Sequence, residues 1–173
     1  MAYGELETYA DNGSIIIDQP GRRTEYGFRT VSIQDSDFAF EVNGPPGSRL
    51  PDLRVTKAGI KFETVRSGTY GQAPTLEAAI GPLQDLMTVY TTSVPRVLAG
   101  DAWGPSNECS EIRILGVTSV NGQPTIMLEI DLIEGGPASL WLDQATLLIR
   151  RMQHQSPRGD TFVTVTFTRL DAR

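Results

Sequence analysis

The sequence has one cysteine, one histidine and no long apolar run. A single Cys109 cannot staple its own chain, and there is no Cys/His set with the spacing that zinc needs. No metal or cofactor is expected, and Cys109 reads as a part-buried small residue where a strand begins, with a reactive thiol or an intermolecular disulfide as the alternative. The lone His154, flanked by Gln153 and Gln155, reads as a surface histidine. No Gly-x-Ser-x-Gly elbow accompanies it, so no nucleophile and base pair emerges and no enzyme is expected. A membrane-crossing helix needs about 20 consecutive apolar residues, and no such run occurs. Residues 1–20 also lack the apolar core of a signal peptide. Basic residues are outnumbered, 15 Lys+Arg against 21 Asp+Glu, for a net charge of −6. That balance disfavours nucleic acid and anionic head groups as partners. Gly44–Gly47 and Gly135-Gly136 lack the spacing and following helix of a phosphate loop. They read as turns.

What the chain does contain is alternation. Its 173 residues, 39% hydrophobic and 21% charged, suit one domain with a real core. Ile126, Leu128, Ile130 and Leu132 alternate with Met127, Glu129 and Asp131, which predicts a strand with one apolar face. Glu129 and Asp131 then belong to its solvated side rather than to an acid pair. Glu111–Val120 precedes it across Asn121-Gly122, a strong hairpin signal because both residues tolerate positive φ. Strands are also predicted at Ala138–Asp143, Leu147–Gln153 and Thr161–Leu170. In the last of these, Val163, Val165 and Phe167 share one face. The connections are too short for parallel crossovers, so these five strands form an antiparallel meander. Arg150-Arg151 puts one cation on each strand face, one solvated and one paired with a carboxylate.

The N-terminal half continues the pattern. Glu5–Tyr9 reads as the end of a helix or the start of a strand, and Asp11-Asn12-Gly13 as a turn. Strands follow at Ser14–Asp18, Glu25–Ile33 and Asp37–Val42. Asn43–Ser48 is a Pro/Gly loop. Leu53–Lys57 and Ile60–Val65 form a hairpin. One segment differs: from Thr75 to Tyr90 the residues Leu76, Ala79, Ile80, Leu83, Met87 and Tyr90 recur at helical spacing. Thr75 is a plausible N-cap. Gly81-Pro82 predicts a break into two short helices, because an interior proline costs about 3 kcal/mol. Gly100–Asn107 reads as a loop carrying Trp103. The order of elements implies a strongly curved antiparallel sheet of roughly nine or ten strands. It would be an incomplete barrel with helices lidding its concave side, an α+β but mainly β fold.

The succession Gly116–Gly122, Ser139-Leu140-Trp141-Leu142-Asp143, Ile149-Arg150-Arg151, Gly159-Asp160 and Val163–Phe167 resembles the lipoprotein-localisation-factor family. These are the LolA-like outer-membrane lipoprotein-sorting proteins and their uncharacterised relatives. Tyr9-Ala10-Asp11-Asn12-Gly13 fits the Tyr-x-Asp-x-Gly pattern that opens the family's first strand. The resemblance extends, more weakly, over nearly the whole chain. It implies one domain, 1–173, in which a half-barrel and its helices enclose a hydrophobic cavity. It further implies non-enzymatic binding or transport of a lipid or lipoprotein acyl chain in the cell envelope. Two departures stand out. The family's opening helix is missing or cut to a stub, and the Arg-Pro pair before the aromatic strand is replaced by Gln34-Asp35-Ser36. The lipoprotein-chaperone mechanism is therefore not carried over.

The expected ligand-lining residues are Phe28, Phe38, Phe40, Phe62, Leu83, Met87 and Leu142. The expected partner is a hydrophobic small molecule or an acylated protein. Homodimerisation through exposed apolar surface is expected if the lid is incomplete. The expected location is the periplasm or cell envelope, with a signal segment removed, or the cytoplasm if Met1 is the natural start. The competing reading is a sensory or protein-interaction module that uses the same sheet without a cavity.

Overall fold

A computed structural model describes residues 3, 6–34, 36–46, 52–84, 93–98, 109–132, 137–156 and 158–173. The strands are β1 Thr8–Gln19, β2 Arg22–Ile33, β3 Phe38–Asn43, β4 Leu53–Ala58, β5 Lys61–Arg66 and β6 Thr69–Ala73. Helices α1 Leu76–Gln84 and α2 Ser93–Leu98 follow. The chain then continues through β7 Cys109–Val120, β8 Gln123–Leu132, β9 Ala138–Asp143, β10 Ile149–Gln155 and β11 Phe162–Ala172. All described strands join one 11-stranded sheet in the order β6-β5-β4-β3-β2-β1-β11-β10-β9-β8-β7. Every pairing is antiparallel. The sheet is curved but open, because β6 and β7 end it without meeting.

The order has a simple origin. Two meanders, β1–β6 and β7–β11, are stitched together where β1 pairs with β11. The predicted C-terminal meander is present. Asn121 and Gly122 both take positive φ, 51° and 77°, which is what a two-residue hairpin turn requires. Alternation decides the faces: Val163, Val165 and Phe167 on β11 are buried, whereas their neighbours Thr164 and Thr166 are half-buried and Thr168 is exposed.

Three expectations change. Asp11-Asn12-Gly13 is not a turn: β1 runs straight through it, with a register shift between Asn12 and Gly13. Turn-forming residues also suit a β-bulge, and the two look alike in sequence. Gly81-Pro82 does not split the helix, which runs unbroken from Leu76 to Gln84. Pro82 is the seventh of its nine residues, so the helix goes without one bond, the one to the Ala78 carbonyl that proline cannot donate. The strand β6, at Thr69–Ala73, carries too little apolar alternation to be read from sequence.

The helices cover one arm only. Helix α1 packs on β4, β5 and β6, and Thr75 caps it by accepting a hydrogen bond from the N–H of Ala78 at 3.1 Å. Leu76, Ala79 and Ile80 join Phe40, Val55 and Phe62 in a single core, which Val94 of α2 also enters. Among the described residues the helical cover is thus two short helices, less than the expected lid.

Candidate functional site

The buried face of the sheet, its inner face, can be followed strand by strand from the register. On the N-terminal arm, Phe28, Phe38, Phe40 and Phe62 are 6%, 4%, 1% and 8% exposed. Phe38 and Phe62 meet edge to face with centroids 6.2 Å apart. All four expected phenylalanines are therefore part of one buried core, Phe62 on a strand that α1 covers and Phe28 against Phe167 of β11. Leu142 lies on the other arm, half-buried on β9, with Ile126 of β8 and Ile149 of β10 beside it in register. Met87 lies outside the described residues, as do Trp103 and its loop, and the Leu83 side chain is likewise not described.

The C-terminal arm is different. Ile130, Leu128 and Ile126 face inward opposite Ile112, Ile114 and Val117 of β7. Burial fades along that direction. Ile130 is 1% exposed, whereas Ile112, Ile114 and Val117 are 50%, 75% and 66% exposed. Leu115, the extra residue at the bulge between Ile114 and Gly116, is also exposed. Contiguous apolar surface of this kind is uncommon unless something binds it. No sequence signal distinguished these residues from core, because alternation marks a face and not what covers it.

On the outer face of the same strands, Arg113 is ringed by acids. It stands 2.8 Å from Asp131, 2.9 Å from Glu129 and 4.0 Å from Glu111. All four side chains are substantially exposed, so each pair adds at most about 1 kcal/mol to folding. Among the described residues no three His, Cys, Asp or Glu side chains are grouped as metal ligands.

Other polar groups serve the frame. Asp143 accepts hydrogen bonds from the N–H groups of Ala145 and Thr146, both at 3.0 Å. It also accepts from Arg150 Nε and Nη2, at 3.0 and 2.8 Å. Burial by itself pushes the Asp143 carboxyl up, but the Thr146 N–H, the Arg150 guanidinium and the Ala145 N–H outweigh it and hold it below its usual range. Arg150 is thus the paired cation of the Arg-Arg motif. Arg151 lies over the Trp141 ring, 5.7 Å from its centroid. His154 is not a surface residue. Strand β10 extends to Gln155, so alternation carries His154 inward beside Val163 and Ala138. It is 7% exposed, and burial lowers its pKa and favours the neutral ring. Phe162 stays on the outer face and is exposed.

Asp11 is a buried carboxyl on the inner face of β1, 3% exposed. Tyr9 donates its hydroxyl to Oδ2 at 2.6 Å and Thr30 donates its backbone N–H to Oδ1 at 2.9 Å. The Tyr3 ring stands edge-on to Tyr9 at 5.5 Å. The Tyr3 hydroxyl accepts the Ile149 N–H at 2.8 Å. Burial pushes both phenols up and raises Asp11 to about 6. Beside Asp11, the residues Ala10, Asn12 and Arg29 line a hollow of about 410 Å³. A second hollow of about 320 Å³ lies between Glu41, Asp52, Arg54 and Ser67. Both are lined mainly by polar residues, so neither resembles an acyl-chain cavity.

Comparison with family models and with curated proteins returns no match. Solved structures do match. The MucB chain in the Pseudomonas aeruginosa MucA/MucB complex aligns over 98% of this chain and 53% of its own, at 13% identity and TM-score 0.55. An uncharacterised conserved protein from Thermus thermophilus aligns over 97% of this chain and 80% of its own, at 9% identity and TM-score 0.59. A LolA superfamily protein from Nitrosomonas europaea covers 98% of this chain and 87% of its own, at 11% identity and TM-score 0.40. The likeness is one of fold. It extends over nearly all of this chain, at 9–15% identity, for MucB and the Thermus thermophilus protein. This chain spans about half the length of the MucB chains it matches. Among the described residues no helix is long and apolar enough to cross a membrane.

Proposed function

We propose that the protein is a non-enzymatic binding module of the bacterial cell envelope. It holds a hydrophobic ligand, a lipid or a lipoprotein acyl chain, on the inner face of its C-terminal arm. One observation carries this reading: the inner face stays apolar out to β7, while α1 covers the opposite end at β4–β6. An extended chain laid across Ile114, Val117, Leu128, Ile126 and Leu142 would remove that surface from water. Each buried methylene contributes about 0.8 kcal/mol. Phe28, Phe38, Phe40 and Phe62 belong to the buried core of the neighbouring arm, so the proposed ligand rests beside them rather than on them. The envelope setting rests on the family resemblance in the strand motifs. Fold likeness to MucB, a protein solved in a complex with MucA, supports a binding role in general terms.

The test is displacement of a fluorescent long-chain fatty acid from wild type, Ile114→Asp and Val117→Asp. Both positions are largely exposed, so folding stability should change by less than about 0.5 kcal/mol. Probe affinity should fall at least about tenfold in each, because a carboxylate on the contact surface must be desolvated. Undiminished probe binding in both variants would overturn the proposal. Native mass spectrometry of gently purified protein would identify a retained lipid.

A further inference from the structure

The two ends of the sheet are finished differently. Strand β6 is a five-residue edge. Its side chains are tied down: Gln72 donates to the Tyr70 hydroxyl, which in turn donates to Glu63, each at 2.9 Å. Helix α1 packs beside it. Short, covered edges are how soluble proteins avoid unwanted strand addition. Among the described residues β7 is the other edge, 12 residues long and exposed from Ser110 to Ser119. Its inner row is apolar and its outer row is charged.

We propose that the β7 edge is a docking site for an extended segment of a partner protein in which apolar residues alternate with lysine or arginine. The segment adds as a further strand, a mode in which the backbone ladder supplies affinity and alternate side chains supply specificity. Its apolar residues stand beside Ile112 and Ile114 on the inner face. Its basic residues stand on the outer face, one beside Glu111 and the next beside Arg113, whose own charge Glu129 and Asp131 of β8 already balance at 2.9 and 2.8 Å. Charge selects this occupant. The outer cluster sets Glu111, Glu129 and Asp131 against the single cation Arg113, leaving two negative charges in excess, on a chain of net charge −6. Opposite charges placed across strands attract, and like charges repel. A second copy of this chain is the weaker fit, since it brings the same acidic excess and the same net charge to the edge. Two bulges, at Ser110 and at Leu115 next to Gly116 with φ 142°, confine regular pairing to the four residues between them, Glu111–Ile114.

The experiment uses the whole chain and two capped heptapeptides, Lys-Val-Lys-Val-Lys-Val-Lys and its glutamate counterpart. Binding is followed by fluorescence anisotropy at low ionic strength, and the site is located by amide hydrogen exchange. The lysine peptide is expected to bind at least roughly tenfold tighter than the glutamate peptide. It should slow exchange within residues 111–114, and its affinity should fall as salt is added. Glu111→Lys, at a side chain 56% exposed, should abolish the preference while leaving the unfolding midpoint unchanged. Equal affinities for the two peptides would overturn the proposal, as would protection elsewhere in the chain. So would a stable dimer that already protects residues 111–114 without peptide, which would assign the edge to a second copy. The lipid reading is judged separately: fatty-acid displacement involves no strand addition, and peptide protection of β7 involves no acyl chain.

Discussion

Phe28 and Phe167 meet edge to face across Gly13, with ring centroids 5.3 Å apart and planes at 81°. They belong to β2 and β11, which β1 separates, and both pair in register with Gly13. The missing side chain is what lets the rings meet over the β1 backbone. A Cβ built on Gly13 would lie 2.8 Å from the Phe28 ring and 2.0 Å from the Thr166 carbonyl oxygen. This contact closes the seam between the two meanders.

Gly13→Ala should therefore cost stability through overpacking, about 1–3 kcal/mol, although alanine is otherwise preferred in a strand. Chemical denaturation measures it. A double-mutant cycle on Phe28→Leu and Phe167→Leu should give a coupling of about 0.5–1.5 kcal/mol. A stable Gly13→Ala protein, or zero coupling, would show that the seam is held elsewhere.

Asp11 makes stability depend on pH in an unusual direction. Its carboxyl is raised from 3.8 to about 6 in the fold, so between those values the folded state holds the proton more tightly than the unfolded chain. Stability contributed by this group is fully present below about pH 4. It is lost as pH rises through about 6, by an amount on the order of 3 kcal/mol. Asp11→Asn keeps an acceptor for the Thr30 N–H and abolishes the titration. Relative to wild type, the variant should gain stability steadily from pH 4 to 6 and hold that gain above. Parallel pH profiles for the two proteins would show that Asp11 does not titrate as described.

Asp143 works in the opposite sense. Its pKa is lowered, so its contribution is present above the unfolded carboxylate range and is lost as pH falls through the folded value. Asp143→Ala removes the acceptor for two backbone N–H groups and for Arg150, which is only 18% exposed. The expected cost is about 2 kcal/mol or more at neutral pH, shrinking under strongly acidic conditions. A pH-independent cost would point to lost packing rather than lost charge.

The predicted C-terminal strands match β7–β11 to within a few residues because their alternation is strict and their turns carry specific chemistry, Asn121-Gly122 above all. A period of two fixes which residues share a face, so Val163, Val165 and Phe167 were assignable to the core from sequence. The same rule misplaced His154 only because β10 runs two residues further than its apolar pattern suggests. At Asp11-Asn12-Gly13 the local chemistry was ambiguous between turn and bulge. The choice was made by partners distant in the chain: Thr30 at Asp11, and Phe28 and Phe167 at Gly13. Of the expected lining residues, the four phenylalanines were visible as apolar positions, but what each one faced depended on partners distant in the chain: Phe167 for Phe28, and Phe62 for Phe38.

The sequence by itself determined a mainly antiparallel sheet with one helical stretch, and which residues alternate to which face, since these follow from local periodicity and backbone preference. Tertiary structure alone decided which part of the inner face is covered. Whether Ile114 is core or surface depends on whether an element distant in the chain packs over it, and its own neighbours carry no record of that. The helix settles on β4–β6, and the apolar row of β7 stays exposed.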